Sequence, residues 1–174
     1  ELILPDSLVA MNHAAGVPSG LRKVVIGKGM MDWQNVTSFY TVPVIEIHPE
    51  NPNYTMTPDG SIYTRDMSKL LLCRDESEEV VIPEGVTAIG VGAMRSMYGD
   101  AATMKRLVLP STLTKIPDNA FSNLTALESF RVAEGNPAFA AWDGLLYTAD
   151  GKTLIACPVG ITGTVEVREG TVEI

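Results

Sequence analysis

The apolar positions between residues 104 and 132 recur with a spacing that fits neither an α-helix nor a β-strand. The same apolar series starts again from Leu127, and the interval between the equivalent residues Leu107 and Phe130 is 23 residues. Self-similarity with a period of about 20–50 residues is typical of a solenoid, because a single turn is too small to bury its own apolar face. The pattern therefore predicts stacked turns that share one continuous core. The apolar residues of the first series are Met104, Leu107, Leu109, Leu113, Ile116, Phe121 and Leu124.

A shorter motif, in which two apolar residues flank a third residue, recurs seven times and predicts the strands of the solenoid. Alternate side chains of a strand point to opposite faces, so the outer two residues should face the core and the middle residue should face outward. The sequence therefore predicts one parallel sheet of about seven short strands. The triplets are Leu2-Ile3-Leu4, Val24-Val25-Ile26, Ile45-Glu46-Ile47, Val80-Val81-Ile82, Leu107-Val108-Leu109, Phe130-Arg131-Val132 and Val165-Glu166-Val167.

The chain also repeats at a higher level. Strands that begin at positions 24, 45 and 80 are matched by strands at 107, 130 and 165, with offsets of 83, 85 and 85 residues. Each copy carries an insert, at about 51–79 and 136–164. Asp150-Gly151 lies between two strand-like runs, which is the composition of a two-residue type I′ turn. We expect a β-hairpin beside the solenoid in each copy, with a less tight turn in the first, where Asp66-Met67-Ser68 forms the tip.

The segments between strands predict short helices on the convex side. Proline follows three of the strands and should turn the chain out of the sheet. Asp118 is a candidate N-cap for a short helix that carries Ala120 and Phe121. The interval from Val80 to Leu107 is four residues longer than the one that follows it, so a longer helix is expected over Val91–Thr103.

Residues 107–121, with the sequence LVLPSTLTKIPDNAF, resemble the Treponema-type, or BspA-like, leucine-rich repeat, whose units read L-x-L-P-x-x-L-x-x-I-x-x-x-A-F. Residues 81–94 match the same pattern with Met94 in the Phe position, and the resemblance covers about 21–174. It implies an α/β leucine-rich-repeat solenoid, a right-handed β/α superhelix with one parallel sheet, short convex helices and two inserted β-hairpins. It also implies a noncatalytic bacterial surface or secreted protein that adheres to host matrix proteins or other cells.

Composition and charge narrow the range of possible functions. The 174 residues are 45% hydrophobic and 20% charged, which suits one domain with its own core. The net charge is −8 and the basic residues do not cluster, so no nucleic-acid partner is expected. No apolar run reaches the roughly 18 residues of a membrane span. Both ends of the sequence read as repeat interiors, so we expect a segment of a longer chain, with end-to-end self-association through an exposed edge strand.

Candidate chemistry is sparse. No nucleophile motif is present, and His13 and His48 have no metal ligands at the usual spacing, so no enzyme, metal or cofactor is expected. Cys73 and Cys157 occupy equivalent positions about 14 Å apart, at roughly 4.8 Å per strand step, too far for a disulfide. We expect both to be buried free thiols.

The candidate binding surface is the row of middle residues on the exposed sheet face. This row could reflect strand propensity alone, or it could form an apolar contact patch between Glu46 and Arg131. The aromatic rim of the inserts is a second candidate, in which Trp142 should stay partly exposed. The two functions open at this point are binding of a protein or glycan, and a structural spacer that presents another domain. The row comprises Ile3, Val25, Glu46, Val81, Val108, Arg131 and Glu166, and the rim comprises Tyr54, Tyr63, Phe139, Trp142 and Tyr147.

Overall fold

A computed structural model describes residues 1–11, 18, 20–33, 39, 41–94 and 103–174 of the chain. Within these residues the named elements are thirteen short β-strands and no helix. The strands are β1 (Leu2–Ile3), β2 (Lys23–Ile26), β3 (Val44–Ile47), β4 (Tyr54–Met56), β5 (Ile62–Thr64), β6 (Lys69–Leu72), β7 (Glu79–Val81), β8 (Ala88–Ile89), β9 (Arg106–Leu109), β10 (Ser129–Val132), β11 (Phe139–Trp142), β12 (Leu145–Thr148) and β13 (Leu154–Ala156).

Parallel pairing of the predicted triplets forms two sheets. One sheet has the order β1-β2-β3, and the other has the order β10-β9-β7. Val80 lies in register with Leu107, which lies in register with Phe130. These inward-facing residues are buried, as the alternation of the triplets predicts. Stacked parallel strands are therefore confirmed at six of the seven triplets, but the single sheet of about seven strands is wrong.

The seventh triplet, Val165–Val167, is not a strand. Its counterpart 85 residues earlier is β7, whose one strand partner is the strand of the following turn, β9. Among the described residues no strand lies beside 165–167 in the way that β9 lies beside β7. Because a strand is stabilised by its ladder of backbone hydrogen bonds, the triplet stays irregular where that partner is missing.

The two inserts are three-stranded antiparallel units, β4-β5-β6 and β11-β12-β13. The predicted hairpin strands are confirmed, but each unit has one further strand, and its central strand, β5 or β12, is buried on both faces. Ile62 packs in the amino-terminal core, whereas its neighbour Tyr63 packs in the central core. In the second insert, Leu146 belongs to the central core and Tyr147 to a carboxy-terminal cluster. The inserts therefore stand as walls between successive cores, and the prediction that they lie beside the solenoid is wrong.

The turns at the tips of the two inserts are alike. Gly151 has φ 71° and donates its N–H to the carbonyl of Thr148 over 2.8 Å, and Met67 has φ 60° and makes the same 2.8 Å bond to Thr64. Positive φ occurs at Gly151 and not at Asp150. A type I′ turn needs positive φ at both central residues, so that prediction is wrong. The prediction of a less tight turn in the first copy is also wrong.

Among the residues that the structure describes, the predicted convex helices are not found. After Pro117 the chain forms consecutive tight turns, in which Ala120 and Ser122 donate to the carbonyls three residues earlier. Asn119 has φ 57°, a left-handed conformation that a right-handed α-helix does not contain. Of the expected helix at 91–103, residues 91–94 form turns and 95–102 lie outside the described residues. The observed architecture is therefore a β-solenoid, and the α/β assignment is wrong.

A second column of backbone pairs runs along the solenoid and begins at the last strand of each insert. β6 pairs in parallel with β8, and Ala88 of β8 forms a bridge with Lys115 one turn later. In the second copy, Thr153 forms the equivalent parallel bridge with Glu173. Each insert therefore continues into the stack of turns through hydrogen bonds as well as through its core side chains.

Candidate interaction surface

The predicted row of middle residues divides into two shorter rows, one on each parallel sheet. In the first sheet Ile3 lies in register with Val25, and Val25 lies in register with Glu46. In the second sheet Val81, Val108 and Arg131 are aligned in the same way. Each row therefore presents two aliphatic residues followed by one charged residue. Glu166 is exposed but lies outside any strand, so the structure does not align it with either row.

The aliphatic pairs of these rows differ from isolated exposed residues because their members are cross-strand neighbours. Ile3 is 66% exposed and Val81 is 56% exposed, whereas Val25 and Val108 are half-buried. Neighbouring strands are about 4.8 Å apart, so each pair forms one contiguous apolar strip. A strip of this kind can be covered by a complementary apolar surface.

Ion pairs border both strips. The Lys23 Nζ lies 3.0 Å from a carboxylate oxygen of Glu46 and 3.5 Å from one of Glu1. The hydrogen bond to Glu46 raises the pKa of Lys23. These side chains remain a third to a half exposed, so the pairs contribute little to stability and mainly fix the charge pattern of the surface.

Glu79 occupies a similar position at the border of the second strip. Its carboxylate accepts a 2.8 Å hydrogen bond from Arg106 and lies 3.7 Å from the guanidinium of Arg131. The bond from Arg106 holds the pKa of Glu79 below its ordinary value. These partners are far apart in sequence and adjacent only across strands, so sequence reasoning missed the pairs. Aligning the residue before each triplet would have placed Glu79 opposite Arg106.

Most of the aromatic rim is used in packing. Tyr54, Tyr63, Phe139 and Tyr147 are all buried, as expected for residues that fix the inserts to the solenoid body. Trp142 is half-buried, with its ring centroid 5.3 Å from that of Tyr147 and 4.2 Å from the Arg168 guanidinium. Of the rim, Trp142 alone is therefore accessible, and its face is already covered by a cation.

The two cysteines are free but differ in exposure. Cys73 is half-buried at the edge of the central core, and burial raises the pKa of its thiol to about 11. Cys157 is exposed, so the prediction that both thiols are buried is wrong for this residue. Cys73 packs against the central core, and its N–H is bonded to the Ala93 carbonyl over 2.8 Å.

In the described part of the chain, no group of three or more His, Cys, Asp or Glu residues lies close enough together to hold a metal ion. His48 accepts a 3.1 Å hydrogen bond at Nδ1 from the backbone N–H of Glu50, whereas His13 lies outside the described residues. Within the same ranges, no helix has both the length and the apolar character that crossing a membrane requires.

Comparison with known proteins gives similarities of structure only. No protein-family model and no curated protein sequence matches the chain. A leucine-rich repeat protein from Eubacterium ventriosum is similar at a TM-score of 0.44 and 16% identity, over 64% of this chain and 36% of that one. The pneumococcal vaccine antigen PcpA is similar at a TM-score of 0.46 and 19% identity, over 97% of this chain and 39% of that one. The chain thus spans less than two fifths of either protein, and similarity at this level assigns it to no family.

Proposed function

We propose that this chain is a noncatalytic interaction module that binds a protein partner through the two aliphatic strips on its parallel sheets. The observation that carries the proposal is that exposed aliphatic residues are aligned across neighbouring strands, Ile3 with Val25 and Val81 with Val108. Ion pairs border each of these strips. A partner that covers a strip removes its apolar area from water at about 25 cal/mol per Å². The charged borders would then set the orientation of that partner.

A protein fits these strips better than a glycan does. Sugars are bound through dense hydrogen bonding and through stacking on aromatic rings, whereas the outward residues of the strips are aliphatic. The aromatic residues of the inserts are buried, and the accessible one, Trp142, already stacks with Arg168. An extended aliphatic strip matches the apolar centre of a protein interface, which is surrounded by a polar rim.

The resemblance to BspA-like repeats supports a location outside the cell, on the bacterial surface or in the secreted fraction. Host matrix proteins and proteins of other cells are accordingly the class of partner that we propose. The strips are formed by the middle residues of the triplets, which the repeat motif leaves variable. The proposed binding surface therefore does not depend on how closely the chain follows the motif.

A structural spacer is the second candidate, and one observation favours it. Each insert packs against two cores at once, through Ile62 and Tyr63 in the first copy and through Leu146 and Tyr147 in the second. Consecutive units are therefore joined by shared buried walls, which suits a stiff body that holds another domain at a distance. The two candidates differ in whether the exposed strips bind anything.

The test is a binding screen against immobilised host matrix proteins and a glycan array, with variants of the second strip. For a bound protein, Val81→Lys together with Val108→Lys should raise Kd at least about tenfold, because a buried unpaired charge opposes docking. Val91→Lys is the matched control, since Val91 is also an exposed valine but lies in a turn and not in the β10-β9-β7 sheet that carries the second strip.

Charge reversal tests the borders of the strips. Glu46→Lys combined with Arg131→Glu should also weaken binding if the borders orient the partner. Binding that survives both sets of substitutions would contradict the proposed surface. No binding across the screen would favour the spacer, and binding to glycans alone would contradict the proposed class of partner.

A further inference from the structure

The two parallel sheets are interrupted inside the chain, between β3 and β7, where the first insert stands. Among the described residues, β3 has a strand partner on one side only, β2, and β7 has only β9. The outward residues of β3 and β7 are exposed, whereas the outward residues Val25 and Val108 of the middle strands are half-buried. The interruption therefore leaves two strand edges within the fold that are uncovered on their outer side.

The edge of β3 that faces this interruption carries backbone groups without partners. His48 donates its N–H to the Ile26 carbonyl of β2 over 2.8 Å. In a ladder, alternate residues direct these groups to opposite sides, so Ile45 and Ile47 direct theirs away from β2. In the described part of the chain, the N–H and C=O groups of Ile45 and Ile47 form no hydrogen bond. We call these four groups the β3 edge.

The second copy shows how the equivalent edge is closed. Phe130, 85 residues after Ile45, donates its N–H to the Gly144 carbonyl over 2.8 Å. Gly160 donates to the Leu127 carbonyl, also over 2.8 Å, and a Cβ at Gly160 would lie 2.9 Å from that carbonyl oxygen. The second insert therefore closes the start of this edge itself, by close backbone contact with the turn before it.

The first insert does not close its edge in this way. The loop between its first two strands, residues 57–61, is longer than residues 143–144 of the second insert, and it is hydrogen-bonded within itself. The Val42 carbonyl, which is equivalent to that of Leu127, accepts a 2.6 Å bond from the Arg74 guanidinium. A side chain thus replaces the backbone contact of the second copy, and the β3 edge keeps its unused donors and acceptors.

Charge beside the interruption indicates what kind of segment suits this edge. Residues 75–79, which lead from the insert into β7, read DESEE. Two of these four carboxylates pair with basic residues of the next turn, whereas Asp75 and Glu76 form no ion pair among the described residues. Glu46 is a further exposed carboxylate, on the outer face of β3. Because opposite charges on neighbouring strands attract, lysine or arginine is favoured in a strand added here.

We propose that the β3 edge binds an extended, basic segment of a partner protein as an added strand. The backbone of that segment supplies the acceptor for Ile45 that Gly144 supplies for Phe130 in the second copy, and it continues the pairing to Ile47. This site is separate from the aliphatic strips, because it binds through backbone groups and not through outward side chains.

A capped peptide of about eight alternating valine and lysine residues is the probe. Hydrogen exchange of the protein, followed by NMR, should slow at the amides of Ile45 and Ile47 when the peptide is saturating. The amide of Phe130 should not change, because it is already bonded to Gly144. The same peptide with an N-methylated backbone, or with glutamate in place of lysine, should bind at least about tenfold more weakly.

Proline substitution tests the edge from the side of the protein. Ile47→Pro removes one N–H of the β3 edge and leaves the ladder with β2 intact, and proline is tolerated on the free edge of a strand. This variant should bind the lysine peptide at least about tenfold more weakly. Val132→Pro is the matched control, since Val132 is the equivalent half-buried residue at the end of β10, and it should bind the peptide as the wild type does.

The wild-type measurements decide the proposal even if Ile47→Pro does not fold. No binding of the lysine peptide, unchanged exchange at Ile45 and Ile47, or equal binding of the N-methylated peptide would overturn it. Val108→Lys, on the middle strand β9, should leave peptide binding unchanged while it weakens binding of a matrix protein to the second strip. Failure of this proposal and failure of the proposed function are therefore distinguishable.

Discussion

Asn51 and Asn136, 85 residues apart, make the same four hydrogen bonds at the start of the two inserts. The side-chain amide of Asn136 donates to the carbonyls of Pro110 and Leu113 over 2.8 and 2.9 Å, and its oxygen accepts two backbone N–H groups over 2.8 Å each. Asn51 is fully buried and bonds the carbonyls of Gly27 and Met30 in the same way. Each asparagine therefore fastens an insert to the turn on which it stacks.

Replacing either asparagine by leucine should destabilise the protein by roughly 1–3 kcal/mol per site, because backbone donors and acceptors then lose their partners inside the protein. Chemical denaturation of Asn51→Leu and Asn136→Leu measures the loss. The control is Asn123→Leu, at an exposed turn, where a change within about 0.5 kcal/mol is expected. Equal stability of all three variants would show that the paired hydrogen bonds are not needed.

A side chain at position 151 should be unfavourable for two separable reasons. Its φ of 71° is unfavourable for other residues, and a Cβ there would collide with the Arg168 guanidinium that covers Trp142. Gly85 also has positive φ, at 95°, but a Cβ there would meet nothing within 4 Å.

Gly85→Ala should therefore cost about 1–2 kcal/mol from backbone strain alone. Gly151→Ala should cost more and should change the fluorescence of Trp142 as Arg168 moves. Thermal unfolding with fluorescence detection compares the two variants. Equal losses of stability would mean that the contact with Arg168 is unimportant.

Asp66 should make stability depend on acid pH. Hydrogen bonds from the Thr64 hydroxyl and from the backbone N–H and hydroxyl of Ser68 lower its pKa from 3.8 to about 2. A carboxylate whose pKa is lower in the folded state stabilises that state above its unfolded pKa. The contribution is then lost as pH falls from about 4 towards 2.

The variant Asp66→Asn keeps an acceptor oxygen without a titrating group, so its free energy of unfolding should fall less steeply over this range. Asp118→Asn, at an exposed aspartate in another turn, is the control and should follow the wild type. The same steepness in all three proteins would remove Asp66 as a cause of acid sensitivity.

The two thiols should react at different rates. Cys157 is exposed, whereas burial raises the pKa of Cys73 to about 11 and leaves little thiolate at neutral pH. Titration with a chromogenic disulfide reagent should show one fast and one slow thiol in the native protein. Cys157→Ser should abolish the fast phase, and Cys73→Ser the slow one. Two equally fast thiols would contradict the packing of Cys73 against the central core.

Some features of the surface could be foreseen from the sequence and others could not. The triplets marked Val25, Val81 and Val108 as outward-facing, and the structure aligns them on sheet faces. The partners of the charged residues could not be foreseen, because Arg106 and Arg131 meet Glu79 only through the register of neighbouring strands. Glu166 was expected in the row, but its triplet forms no strand and the structure does not align it with either row.

A sequence signal for the buried inserts was present but was not used. Leu70-Leu71-Leu72 and Leu145-Leu146-Tyr147 are uninterrupted apolar runs, and a strand of this kind is typically buried on both faces. A hairpin beside the solenoid would instead show alternating polar residues on its outer face. Those runs therefore contained the information that the inserts divide one core from the next.

The sequence by itself determined the repeat period, the duplication, the strands at six of the seven triplets and the side chains of those strands that face the core. These follow from alternation and spacing, which are local properties of the chain. The tertiary structure alone decided that the inserts split the parallel strands into two sheets, that tight turns replace the expected helices, and that the last triplet stays unpaired. Each of these outcomes depends on which segments become neighbours in space, because backbone hydrogen bonds and burial are completed only by residues distant along the chain.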